Sequence, residues 1–127
     1  MAVRRWALPI LLLTLASGCA GGRSKPSLGK EPPRATVHVA NNNFADITVY
    51  VVQSGMRWRL GTVSGLSRQQ FRMPRLSYDA GDLHLLADPV GGARSYLSPP
   101  VRVHAGEAVD LRLHATLSMS SVSVFSR

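Results

Sequence analysis

Asp46-Ile47-Thr48-Val49-Tyr50-Val51-Val52 alternates with a period of two. Ile47, Val49 and Val51 fall on one side, and Asp46, Thr48 and Tyr50 on the other. That is the period of a β-strand, whose successive side chains point to opposite faces. Val52 adds an apolar residue to the second face, so the strand reads as a central one. Ser54-Gly55 then turns the chain.

The same rule extends in both directions. Upstream, Val37 and Val39 alternate with Thr36, His38 and Ala40, and Asn41-Asn42-Asn43 supplies a turn. Downstream, Trp58 and Leu60 alternate with Arg57 and Arg59, and Gly61-Thr62-Val63 closes that run before Ser64-Gly65. Trp58 is expected to face the core. Phe71 and Met73 alternate with Gln70 and Arg72, and Pro74 ends the strand because it cannot donate to a ladder. Leu83, Leu85 and Ala87 alternate with His84, Leu86 and Asp88, before the loop Asp88-Pro89-Val90-Gly91-Gly92. Ser95-Tyr96-Leu97 resumes and Pro99-Pro100 breaks it. Val101 and Val103 alternate with Arg102 and His104, and Ala105-Gly106-Glu107 is a tight turn. Val109, Leu111 and Leu113 face in, while Asp110, Arg112 and His114 face out. Val122 and Val124 form a last strand after a serine-rich connection.

Seven to nine short strands at regular spacing predict an all-β domain, an antiparallel β-sandwich, with a small β-barrel as the alternative. The Val101–Leu113 segment resembles the terminal hairpin of immunoglobulin-like and transthyretin-like domains. A single cysteine excludes an internal disulfide, so an antibody-type domain is excluded and packing alone must hold the core. At 127 residues the chain has room for one such core.

A different pattern precedes the strands. Met1–Arg5 is a short positive region, and Trp6–Ala16 is an apolar run of eleven residues. That run is shorter than the ~20 residues that cross a bilayer, so it reads as a signal helix and not as a membrane span. Ala16, Ser17 and Gly18 are small, and Cys19, the only cysteine, follows them. Leu15-Ala16-Ser17-Gly18-Cys19 resembles the lipobox of bacterial lipoprotein signal peptides. Most of that family has leucine where Ala16 stands; here Leu15 lies one place earlier. The resemblance implies cleavage between Gly18 and Cys19, with acyl chains carried by Cys19. Each buried CH₂ contributes ~0.8 kcal/mol, and two or more chains give a stable anchor. Ala20 stands where an aspartate commonly retains such proteins in the inner membrane. The implied location is therefore the outer membrane facing the periplasm, or the outer face of the cytoplasmic membrane in a cell with one membrane. The expected organisation is residues 1–18 as signal peptide, 19–35 as lipidated cysteine and disordered linker, and 36–127 as the sandwich. The linker is rich in Gly, Ser, Pro and charge, and a coil of its length reaches ~20 Å.

Lysine plus arginine number 15 against 7 acidic residues, a net charge of +8 that falls to +6 without Arg4 and Arg5. Such a balance favours anionic partners. Arg57, Arg59, Arg72, Arg102 and Arg112 are candidate anion-binding residues if several share a sheet. Display outside the cytoplasm makes nucleic acid an improbable partner and leaves lipid headgroups or acidic polysaccharide. No catalytic set emerges. Ser64 in Gly61–Gly65 lacks the following helix of a nucleophile elbow, and Asp46, Asp79, Asp82, Asp88, Glu107 and Asp110 include no evident pair. His38, His84, His104 and His114 fall at outward strand positions without metal-binding spacing. The expectation is a non-catalytic envelope lipoprotein, without metal or cofactor, that presents its sandwich to a protein partner. The alternative is a basic module that binds anionic lipid or polysaccharide.

Overall fold

The computed structural model describes residues 29, 31–76, 81–92 and 94–126. The signal segment, Cys19, most of the linker and Asp79 lie outside the described residues. The folded unit runs from Glu31 to Arg127. Glu31–Ala35, expected in the linker, therefore belongs to the domain. Ala35 is fully buried, and its carbonyl accepts the Met73 N–H at 2.9 Å.

Eight strands form among the described residues: β1 Thr36–Asn41, β2 Ile47–Gln53, β3 Met56–Val63, β4 Arg68–Arg72, β5 Leu83–Pro89, β6 Tyr96–Leu97, β7 Ala108–Leu113 and β8 Ser121–Phe125. One 3₁₀ turn, Leu117–Met119, precedes β8. The strands make two four-stranded sheets, ordered β4-β1-β7-β8 and β3-β2-β5-β6. These are the two layers of a β-sandwich.

The period-two reading places the core. Val37, Val39, Ile47, Val49, Val51, Leu85, Leu111 and Leu113 are buried between the sheets. Trp58, Leu60, Phe71 and Val122 are partly buried against them. β2 lies between β3 and β5, as its apolar second face implied. Each large aliphatic side chain in this core contributes enough that truncation to alanine costs about 2–5 kcal/mol.

Three features depart from the simple alternation. In β3 the register shifts opposite Val49 and Tyr50, so that Gly61 pairs with Val49 while Arg59 pairs with Tyr50. Leu60 is the extra residue of a β-bulge, and the inward set changes from Trp58 to Gly61 and Val63. A β-carbon on Gly61 would lie 2.5 Å from the Phe71 ring, so the glycine lets that ring lie down on β3.

The second departure is that the sheets are not wholly antiparallel. β1 and β7 pair in parallel, from Thr36 opposite Ala108 to Asn41 opposite Leu113. The third corrects the terminal hairpin. Val101 makes only an isolated bridge to Leu83, and Val103 sits in the core outside any strand. Pro99 and Pro100 cannot donate to a ladder, so pairing along β5 stops after β6 apart from that bridge. The chain then crosses to the other sheet through the turn at Ala105–Gly106. There the Thr36 N–H donates to the Glu107 carbonyl at 3.0 Å and opens the parallel pairing.

Candidate functional site

Strand direction sorts the connections by end. β1, β3, β5 and β7 finish at one end of the sandwich, where β2, β4, β6 and β8 begin. Four loops meet there: residues 42–46, 64–67, 90–95 and 114–120. Glu31, the start of the folded unit, lies at the opposite end with residues 54–55, 73–76, 81–82 and 98–107.

The 42–46 loop ties the other three together. Asn41 is 1% exposed. Its Nδ2 donates to the carbonyls of Ala45, Val63 and Ser64 at 2.9, 3.1 and 3.1 Å, and its Oδ1 accepts the Asn43 N–H at 2.9 Å. Asn43 Nδ2 donates to the Ala115 and His114 carbonyls at 3.0 and 3.3 Å. The Leu66 N–H donates to the Asn43 carbonyl at 2.9 Å, and the Val90 N–H to the Asp46 carbonyl at 2.8 Å. Asp46 Oδ1 accepts the Gly65 N–H at 3.0 Å. The asparagine run thus satisfies backbone groups that an irregular end would otherwise leave unpaired.

Each of these four loops carries one large apolar side chain into solvent. Phe44 is 82% exposed, Leu66 63%, Val90 62% and Met119 72%. The other exposed large apolar residues, Met56, Leu97, Val124 and Phe125, belong to strands. Leu66 also has φ 56°, the left-handed region that a bulky L-residue rarely adopts. Here both backbone conformation and side-chain exposure work against stability. Such strain concentrates where a structure holds a side chain for use.

At the opposite end charge is matched internally. Glu31 Oε1 meets Arg34 at 2.6 Å and Arg75 at 2.8 Å. The hydrogen bond and charge of Arg34, with Arg75 adding, hold the Glu31 carboxyl below its usual range. Glu107 Oε2 accepts the His104 N–H at 2.8 Å and lies 3.2 Å from its Nδ1. The backbone hydrogen bond is the main cause that lowers the Glu107 carboxyl.

The predicted arginines are not gathered into one stripe. Arg57 and Arg59 stand on the outer face of β3, where the Arg57 guanidinium lies 4.8 Å over the Tyr50 ring. Arg72 and Arg112 stand on the outer face of the other sheet, and Arg102 lies in the β6–β7 crossover. Arg68, outside the candidate set, shares that second face. Pairing aligns Arg68, Ala40 and Arg112 in one row, with Gln70, His38 and Asp110 in the next. Alanine is the low point of its row, and an open hollow of about 410 Å³ lies over it.

His38 and His84 lie on strands, but His104 falls in the crossover turn and His114 just past β7. No group of three His, Cys, Asp or Glu with metal-holding geometry occurs among the described residues. The Ser64 carbonyl accepts the Ser67 hydroxyl at 2.6 Å, a turn contact. No helix among the described residues is long and apolar enough to cross a membrane.

No protein-family model and no curated protein matches the chain. Among solved structures, the chain is similar to an NMR structure of a protein from Eubacterium rectale. That likeness has a TM-score of 0.42 and 18% identity, and covers 77% of this chain and 90% of the other.

Proposed function

We propose that the chain is a non-catalytic lipoprotein of the bacterial cell envelope, anchored through Cys19, whose sandwich docks a protein partner with its loop end. The observation that carries the docking is the set of four apolar tips, Phe44, Leu66, Val90 and Met119, at the end opposite Glu31. The folded unit begins at Glu31, at the opposite end of the sandwich from these tips. The location that follows from Ala20 is the outer membrane facing the periplasm, or the outer face of a single cytoplasmic membrane.

A protein occupant is favoured over a bilayer because hydrogen bonds fix the spacing between the tips. Fixed spacing suits a complementary recess and gives no advantage against a fluid surface. Asp46 and Asp88 are engaged by the Gly65 N–H and the Ser95 hydroxyl. Arg94 enters no ion pair among the described residues. An apolar recess bordered by carboxylates is the partner chemistry that matches.

The test uses the full chain expressed in a two-membrane bacterium. An alkyne fatty acid should label the native protein and not Cys19→Ser; absence of label overturns the anchor. A photoreactive residue at Phe44 or Met119 should give one defined protein adduct, lost with Leu66→Ser, and one at Arg102 should give none. Adducts to phospholipid, or equal adducts from both ends, overturn protein docking.

A further inference from the structure

We infer that the hollow over Ala40, on the outer face of the β4-β1-β7-β8 sheet, binds an anionic saccharide unit, a sugar bearing a carboxylate or a phosphate. The inference goes beyond the docking reading and uses none of the four apolar tips.

The site begins with strand register. Arg68 on β4 and Arg112 on β7 flank Ala40 on β1 directly. Strands lie about 4.8 Å apart, so the two arginine backbones stand about 10 Å apart across one methyl group. Two long side chains beside a very short one leave a trough between them. Its other walls are Gln69, Gln70, Asn42, His38 and Asp110. At about 410 Å³ it falls in the size range of small-molecule sites.

Donors and acceptors define the ligand. Arg68 has no hydrogen bond or ion pair to another described residue, so its guanidinium fork is available to an oxyanion. Arg112 gives its Nε to Asp110 Oδ2 at 3.1 Å, which leaves the terminal nitrogens of the fork for a ligand. Asp110 sits in the same wall. A carboxylate there disfavours a bare phosphate ion, yet it accepts well from sugar hydroxyls. The amides of Gln70 and Asn42 can both donate and accept. A floor of one methyl, two arginine forks and a rim of mixed polar groups suits a ring with one negative charge and several hydroxyls. Because the trough is open, a single unit should bind weakly, and a polymer gains through several protomers on one membrane.

The test is an amide-shift titration of the full-length lipidated protein in neutral detergent micelles. Trigalacturonate should shift the Ala40, Gln70 and Arg112 amides, and maltotriose should not. Arg68→Lys keeps the charge and removes the fork; it should weaken binding at least fivefold. Ala40→Leu keeps both arginines and fills the trough, so binding should be lost while the thermal midpoint stays close to that of the native chain. Undiminished binding to the leucine variant overturns the site. Inorganic phosphate producing the same shifts at the same concentration reduces it to a simple anion spot and overturns the saccharide class. Displacement by phosphatidylglycerol-doped micelles, with no effect of trigalacturonate, assigns the arginines to a membrane surface instead.

Discussion

The two ends of this sandwich treat unmatched chemistry in opposite ways. At the end where the folded unit begins, charges meet charges: Glu31 is shared by Arg34 and Arg75, and Glu107 caps the His104 turn. At the loop end hydrogen bonds join the backbones of the loops, and the large apolar side chains have no such partners. Asn41, Asn43 and the Asp46 carbonyl tie four loops together, and Phe44, Leu66, Val90 and Met119 face water. An end that only closed the two sheets of the sandwich would carry polar tips. The difference teaches that the frame and the tips serve separate purposes, one stability and the other contact.

Removal of the frame should have the largest effect. Asn41→Ala deletes three donated bonds and one accepted bond at a buried position, and leaves the Val63 carbonyl without that donor. Unmatched buried polar groups cost about 1–3 kcal/mol each, less where water can reach them. The expected loss is about 2–4 kcal/mol in urea denaturation. A loss below about 1 kcal/mol would mean that the four loops are held independently and that the frame is not one unit.

Gly65→Ala probes the same frame by crowding. An added β-carbon would run into the Phe44 carbonyl, a backbone atom that cannot swing aside. The expected cost is about 1–3 kcal/mol, by the same measurement. At the other end Gly81 has open space around its Cβ position but φ 109°, so Gly81→Ala strains only its own backbone. If the two substitutions cost the same, the close approach of the 42–46 and 64–67 loops contributes nothing.

Leu66→Asn separates stability from contact. Asparagine tolerates φ 56° better than leucine and removes an exposed apolar group. The variant should gain about 0.5–1 kcal/mol and lose the photo-adduct formed at Phe44. Gain in stability together with loss of binding is the mark of a residue kept for use. A variant that is less stable than the native chain would remove the strain argument altogether.

The sequence made the strands legible because each has one buried face, and a period of two survives any topology. Three things were hidden for physical reasons. The bulge at Leu60 reverses parity inside a run that still looks alternating. Pro99-Pro100 reads as the end of the Ser95–Leu97 strand before a hairpin at Val101–Leu113, whereas the crossing to the second sheet depends on where β1 lies. The apolar tips were harder still. Phe44 follows an asparagine run, Leu66 follows a glycine, Val90 follows a proline and Met119 lies among serines, so each reads as a stray residue in a turn. Only strand direction brings every second turn to one end. The arginine set divides between two sheet faces for the same reason: alternation gives the face of a strand, but not which strands are neighbours. The place of Arg68 beside Ala40 depends on that pairing.

The smallest expected effect lies at the linker end and concerns Glu107. Its carboxyl is held below the ordinary 4.5 mainly by the His104 N–H, against a smaller opposing effect of burial. A lowered folded value means that the contribution of the carboxylate is complete above about pH 4.5. It fades as the pH falls through the lowered value, where protonation gives up the His104 bond. The His104 amide shift should therefore titrate with a midpoint below 4.5. That step should vanish in Glu107→Gln. The Asn42 amide, bonded to the Leu113 carbonyl at 2.8 Å, should stay flat across the same range. A midpoint at or above 4.5 would make the His104 turn a passive neighbour of Glu107. An acid step at Asn42 would couple the two ends, and the loop frame would then depend on the charges beneath it.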